Sequence, residues 1–126
     1  MISLEMHEGG IIDLRLYPPH AETDEADYLD ALDRIGRLDG PYAIVVDIAG
    51  SSHLSREGEV RQAAWAKATR QRISTSCRAL ALVRENPNPR TRQSFERLWS
   101  IPVHVTRDRE EACQFAARHL GAAVRP

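Results

Sequence analysis

The chain has 126 residues, a formal net charge of −1 and 42% hydrophobic residues. That length suits one domain, 1–126, and the apolar share suffices for a core. No apolar run approaches the ~20 residues of a membrane span, and the start, "MISLEMHEGG", lacks a basic segment leading into an apolar one, so neither a span nor a secretory signal is expected.

The charge is unevenly spread. Residues 1–50 carry 11 acids and 3 bases; residues 51–126 carry 7 acids and 14 bases. Lys67 is the single lysine, so the basic half is an arginine surface, suited to planar contact with carboxylate or phosphate. The cysteines, Cys77 and Cys113, read as reduced core residues of a cytoplasmic protein.

In chain order, apolar runs at 2–7 and 11–17 flank Glu8-Gly9-Gly10 and read as a β-hairpin, which "YPPH" ends. Thr23 is the expected N-cap of a first helix, with Asp24, Glu25 and Asp27 in its first turn. Tyr28, Ala31, Leu32, Ile35 and Leu38 recur at helical spacing, and Gly40-Pro41 stops the run. "YAIVVDI", 42–48, is a strand buried on both faces. Ser55 caps a second helix expected to run unbroken to about Thr75, and "CRALALV", 77–83, is the next buried strand. Asn88-Pro89 opens a third helix carrying Thr91, Phe95, Leu98 and Trp99. A short strand at 101–105 follows. Asp108 and Glu111 form a capping box for a last helix striped by Ala112, Phe115, Ala116, His119 and Leu120 and ended by Gly121. The order β-β-α-β-α-β-α-β-α predicts an α/β fold: a five-stranded, mostly parallel sheet with an N-terminal hairpin and four helices.

The stretch "VVDIAGSSHLSREGE", 45–59, holds the most chemistry. An apolar strand ends in Asp47, two serines follow, and a helix opens. With the strand–helix order, the junction "VVDIAGSS" resembles the STAS domains of sulphate transporters and anti-sigma factor antagonists, within the wider SpoIIAA-like superfamily. The resemblance spans nearly the whole chain. It implies a non-enzymatic regulatory or protein-interaction module in which Ser51 or Ser52 is the phosphoacceptor of a partner kinase. This sequence lacks the acid before the serines and the glycine after them, and a polar turn is the plainer reading of that loop.

Other chemistries lack their residues. A receiver needs acids after the first parallel strand and a lysine after the last. A serine hydrolase needs Gly-x-Ser-x-Gly, and "GSSH" stops short. There is no P-loop and no Gly-x-Gly-x-x-Gly. His7, His20, His53, His104 and His119 are scattered, so no metal or other cofactor is expected. Asp47 is expected to accept backbone N–H groups from the loop after it.

Two surfaces remain. The loops at the carboxyl ends of the parallel strands bring Arg84, Arg90 and Arg107 to the edge that carries Ser51 and Ser52; that edge suits an anionic or lipid-like small ligand, the alternative function. On the second helix Arg61, Trp65, Thr69 and Arg72 form a stripe beside the small face of Val60, Ala63, Ala64 and Ala68; Trp65 there is either core capped by arginine stems or the anchor of a candidate surface for a protein partner, an anti-sigma-like regulator or a second copy of the chain. Near-absence of lysine and the overall charge argue against nucleic acid.

Overall fold

The computed structural model describes residues 1–7, 9–17, 22–48, 55–85 and 89–124, the side chains of 91, 94 and 122–124 excepted. The elements run β1 (Ile2–His7), β2 (Ile11–Leu16), α1 (Asp24–Gly36), β3 (Tyr42–Ile48), α2 (Arg56–Ala68), α3 (Arg70–Ser76), β4 (Cys77–Val83), α4 (Pro89–Leu98), β5 (Val103–Thr106) and α5 (Arg109–Val124). They form an α/β fold on one five-stranded mixed sheet in the order β1-β2-β3-β4-β5. β1 and β2 are antiparallel, and the hairpin between them turns on Gly9 and Gly10, whose φ of +92° and +96° suits glycine. β2 to β5 are parallel neighbours.

Each parallel step advances in one direction across the sheet. Connections of one hand therefore place α1 to α4 on the same face. The core confirms this. On that face Ile12, Leu14, Ile44, Leu80 and Leu82 pack with Leu29, Leu32, Ile35, Ala66 and Ile73 from the helices and with Trp99 just past α4. On the other face α5 alone lies against Ala43, Val45, Ala79, Ala81 and Val83 through Ala112, Ala116 and Leu120. Alanine against alanine lets α5 sit close and leaves that side full.

The helix expected from 55 to about 75 is two helices, so the described residues form five rather than four. The Thr69 hydroxyl donates to the Trp65 carbonyl at 2.7 Å, a back-bond that bends helices, and the chain turns there so that Ile73 is completely buried. Thr23 makes no side-chain cap bond and already has helical backbone angles, φ −85° and ψ −4°. Asp108 does cap α5, its Oδ1 accepting from the N–H groups of Glu110 at 2.9 Å and Glu111 at 3.4 Å. The Glu111 carboxylate does not complete a capping box; it accepts from the Thr106 hydroxyl at 2.8 Å and pairs with His104 Nε2 at 3.0 Å. Gly121 lies inside α5 rather than ending it. Among the described residues no helix is long and apolar enough to cross a membrane.

Candidate functional site

Helix α2 decides where space opens. At its first turn the Ser55 hydroxyl accepts the Gly58 N–H at 3.0 Å, and the Glu25 carboxylate of α1 takes both the Ser55 N–H and, at 2.8 Å, its hydroxyl. Midway, the Tyr28 hydroxyl donates to Gln62 Oε1 at 2.5 Å. At the far end α1 presents Gly36, where a Cβ would stand 2.9 Å from Trp65 Nε1 and from Thr69 Cγ2. These contacts fasten α2 along α1, and it leans on that helix rather than on the sheet. Only Gly58 and Ala66 of α2 are buried. Its small residues, which by size alone would seat it close to the sheet, leave room instead.

The room is a cavity of ≈ 230 Å³. Its floor is the sheet: Leu14 of β2, Ile44 and Val46 of β3, Leu80 and Leu82 of β4. Its walls are Tyr28, Leu32 and Ile35 of α1, Gln62, Ala63, Trp65 and Ala66 of α2, and Phe95, Leu98 and Trp99. The aromatic rings hold one another. Trp65 meets Trp99 edge-on with centroids 5.8 Å apart, and Phe95 tilts against Trp99 at 5.7 Å. Polar lining is sparse: Gln62 and Tyr28, which bond each other, the buried indole N–H groups of Trp65 and Trp99, which have no partner among the described residues, and Arg84 just beyond the carboxyl end of β4.

Arg84 is half-buried, and its backbone N–H continues the ladder to the Thr106 carbonyl at 2.9 Å. Its guanidinium has no hydrogen bond or ion pair among the described residues. Burial pushes its pKa down, against weaker opposing effects of Tyr28 and Asp47. A guanidinium stays charged even so. The site thus combines an apolar, aromatic cavity with a guanidinium that no described residue hydrogen-bonds or pairs with.

Of the three arginines expected at this edge, only Arg84 lines the cavity; Arg90 and Arg107 are exposed. Ser51 and Ser52 lie outside the described residues. The stripe on the second helix is divided. Arg61 is exposed, Trp65 is turned into the cavity, and Thr69 is used at the α2–α3 joint. Arg72 belongs to α3 and reaches back to the end of α1, donating to the Arg37 carbonyl at 2.9 Å and Asp39 Oδ1 at 3.0 Å.

A second constellation lies on the α5 face. Asp13, 1% exposed, receives Arg15 at 2.8 and 2.9 Å, Arg109 of α5, and His7 Nε2 at 3.2 Å, all on Oδ2. Asp47 receives the Tyr17 hydroxyl at 2.5 Å and Arg109 at 2.9 Å, so its described partners are side chains rather than the backbone of the following loop. Burial alone would raise the Asp13 pKa, but the hydrogen bonds from Arg15, Arg109 and His7 outweigh it and the net direction is down. Glu5, His7 and Asp13 bring three potential ligand atoms within 4.8 Å of one another, a cross-strand cluster that helical spacing rules cannot find. Two guanidinium groups already sit on the Asp13 oxygen and repel a cation there, so the cluster reads as an ion-pair network that ties β1, β2 and β3 to α5.

The aromatic cavity was missed because its walls come from segments tens of residues apart. The Asp13 network had a visible signal, an aspartate inside the apolar strand "IIDLRL". No family model, curated protein or solved structure matches the chain, so the functional reading rests on these residues.

Proposed function

We propose that the chain is a non-enzymatic module that binds a small ligand with an apolar body and one anionic group. The body fills the cavity over β3 and β4, and the anion pairs with Arg84. The observation that carries this reading is the half-buried Arg84 guanidinium, without an acceptor among the described residues, beside an apolar cavity. A cation held partly out of water costs free energy until an anion meets it. The described lining offers no acid–base or nucleophile–base pair, which supports binding without turnover.

The regulatory reading is compatible with it. The segment leaving β3 at this edge carries Ser51 and Ser52, and Val60, 63% exposed beside Arg61, gives a partner an apolar contact on α2. The STAS-like identity belongs to the same proposal, supported by the hairpin-first, otherwise parallel sheet.

Native mass spectrometry of protein purified from its own host tests the ligand reading. A small molecule should ride on the wild-type chain and be absent from Ala66→Phe, which fills the cavity from α2. Bare protein in repeated preparations, together with melting temperatures that no organic acid raises, would remove the reading.

A further inference from the structure

The size, walls and charge of the cavity narrow the ligand class. This inference rests on the ligand reading above and goes further, to the chemistry of the guest. A dry protein cavity of about 150 Å³ accommodates benzene, with six heavy atoms. By that measure ≈ 230 Å³ holds about nine or ten heavy atoms, with an anionic group standing outside the apolar part. That is smaller than a two-tailed lipid or a long-chain fatty acid.

The walls favour a ring over a chain. Tyr28, Trp65, Phe95 and Trp99 come from three sides, and the Trp65–Trp99 pair is already edge to face. A flat arene can take offset or edge-on positions against such rings, whereas an alkyl chain loses rotational freedom to fill the same space. The charge favours a monoanion. One planar guanidinium matches one carboxylate; Tyr28 spends its hydroxyl on Gln62, and the buried indole N–H groups of Trp65 and Trp99, without a partner among the described residues, are neutral donors that add no second positive charge. We propose that the cavity binds an aromatic monocarboxylate of one ring or a fused pair, with the ring among Trp65, Phe95 and Trp99 and the carboxylate on Arg84.

Trp65 and Trp99 are the only tryptophans of the chain and both line the cavity, so intrinsic fluorescence reports directly on occupancy. The purified full chain is titrated with 3-phenylpropionate, 3-phenylpropionamide, phenyl phosphate, octanoate and palmitate, and each titration is repeated by calorimetry. The expected result is saturable binding of 3-phenylpropionate below 1 mM, at least about tenfold weaker binding of the amide, and a loss of about 10- to 100-fold in Arg84→Met, in line with a hydrogen-bonded charge pair. Ala66→Phe should abolish binding with unchanged circular dichroism; should it fail to fold, Ala63→Leu narrows the same cavity from the exposed side of α2.

Preference for octanoate or palmitate over the arene, lost in Ala66→Phe, overturns the aromatic class while leaving the ligand reading standing. Equal binding of acid and amide, or no effect of Arg84→Met, overturns the carboxylate assignment. Binding of phenyl phosphate at least tenfold tighter than the carboxylate does so as well. No binding of any probe, with fluorescence unmoved, overturns both this inference and the reading beneath it.

Discussion

Asp13 is the residue on which the α5 face turns. It is a charged side chain in the middle of a strand, 1% exposed, held by two arginines that come from its own strand and from the start of α5. Arg109 stands where a helix disfavours a cation, and the two carboxylates of Asp13 and Asp47 offset that; their hydrogen bonds raise its pKa in spite of burial. Asp13→Asn removes the charge that both guanidinium groups face. The arginines keep 33% and 30% of their side-chain surface in water, so the loss should be about 3 kcal/mol, the low end for breaking a buried pair. Urea unfolding measures it, and a loss under about 1 kcal/mol would show the network to be dispensable. The pH dependence has a definite sign. The folded pKa of Asp13 lies below its unfolded value of about 3.9, so its stabilisation is complete above that value and is lost as pH falls through the depressed one. Asp13→Asn should flatten the acid limb of the stability curve below about pH 4 and leave neutral pH shifted by a constant. At the same scale, burial pushes the Cys77 thiol up to about 12, while Cys113 is only half-buried. A thiol reagent at pH 8 should label Cys113 in the native chain and reach Cys77 only in denaturant; native labelling of Cys77 would mean that β4 is not buried as described.

At the level of elements, α1 and α2 form the unit that shapes the cavity. Gly36 is where they come closest, and the atoms a methyl would meet belong to an indole and to a β-branched threonine, neither of which can swing away cheaply. Gly36→Ala should cost about 1–3 kcal/mol and shift the Trp65 emission, because the overlap is relieved only by moving α2 outward. An unchanged melting temperature and spectrum would show that α2 already has slack. Much of the element pattern was legible. Apolar runs gave β3 and β4, helical spacing gave α1 and α5, and Ser55 and Asp108 marked two helix starts through the hydrogen bonds they make. The break at Thr69 was not, because "KATRQRISTS" contains neither glycine nor proline. What breaks the helix is a local hydroxyl back-bond together with the burial of Ile73, and the second depends on where the sheet lies. The position of Trp65 was also hidden. Its spacing from Arg61 and Thr69 fits an exposed stripe as well as a buried one, and the contacts that hold it inward, with Gly36 and Trp99, come from distant segments.

Across the whole molecule the two faces of the sheet are built differently. The α5 side is closed by small residues in direct contact, with Ala112 and Ala116 at 0% exposure over Ala43, Ala79 and Ala81. The other side is roofed by helices whose large side chains meet around a void, and α2 buries only Gly58 and Ala66. Packing of this kind sets local stability as well as shape, since a segment with little buried apolar area opens at lower free energy than the core it covers. Hydrogen exchange at neutral pH should therefore separate the faces. The amides of α2 are expected to exchange at least about tenfold faster than those in the Ala112–Leu120 part of α5 and in β3 and β4, through an opening that leaves the sheet intact. Binding should reverse the order only on one side. A ligand lodged between α2 and the sheet bridges two surfaces that otherwise barely touch, so it should slow α2 and leave α5 unchanged. If α2 and α5 exchanged together, with and without 3-phenylpropionate, the molecule would open only as a whole. The cavity would then be a packing defect of a single cooperative unit rather than a site that an occupant can close.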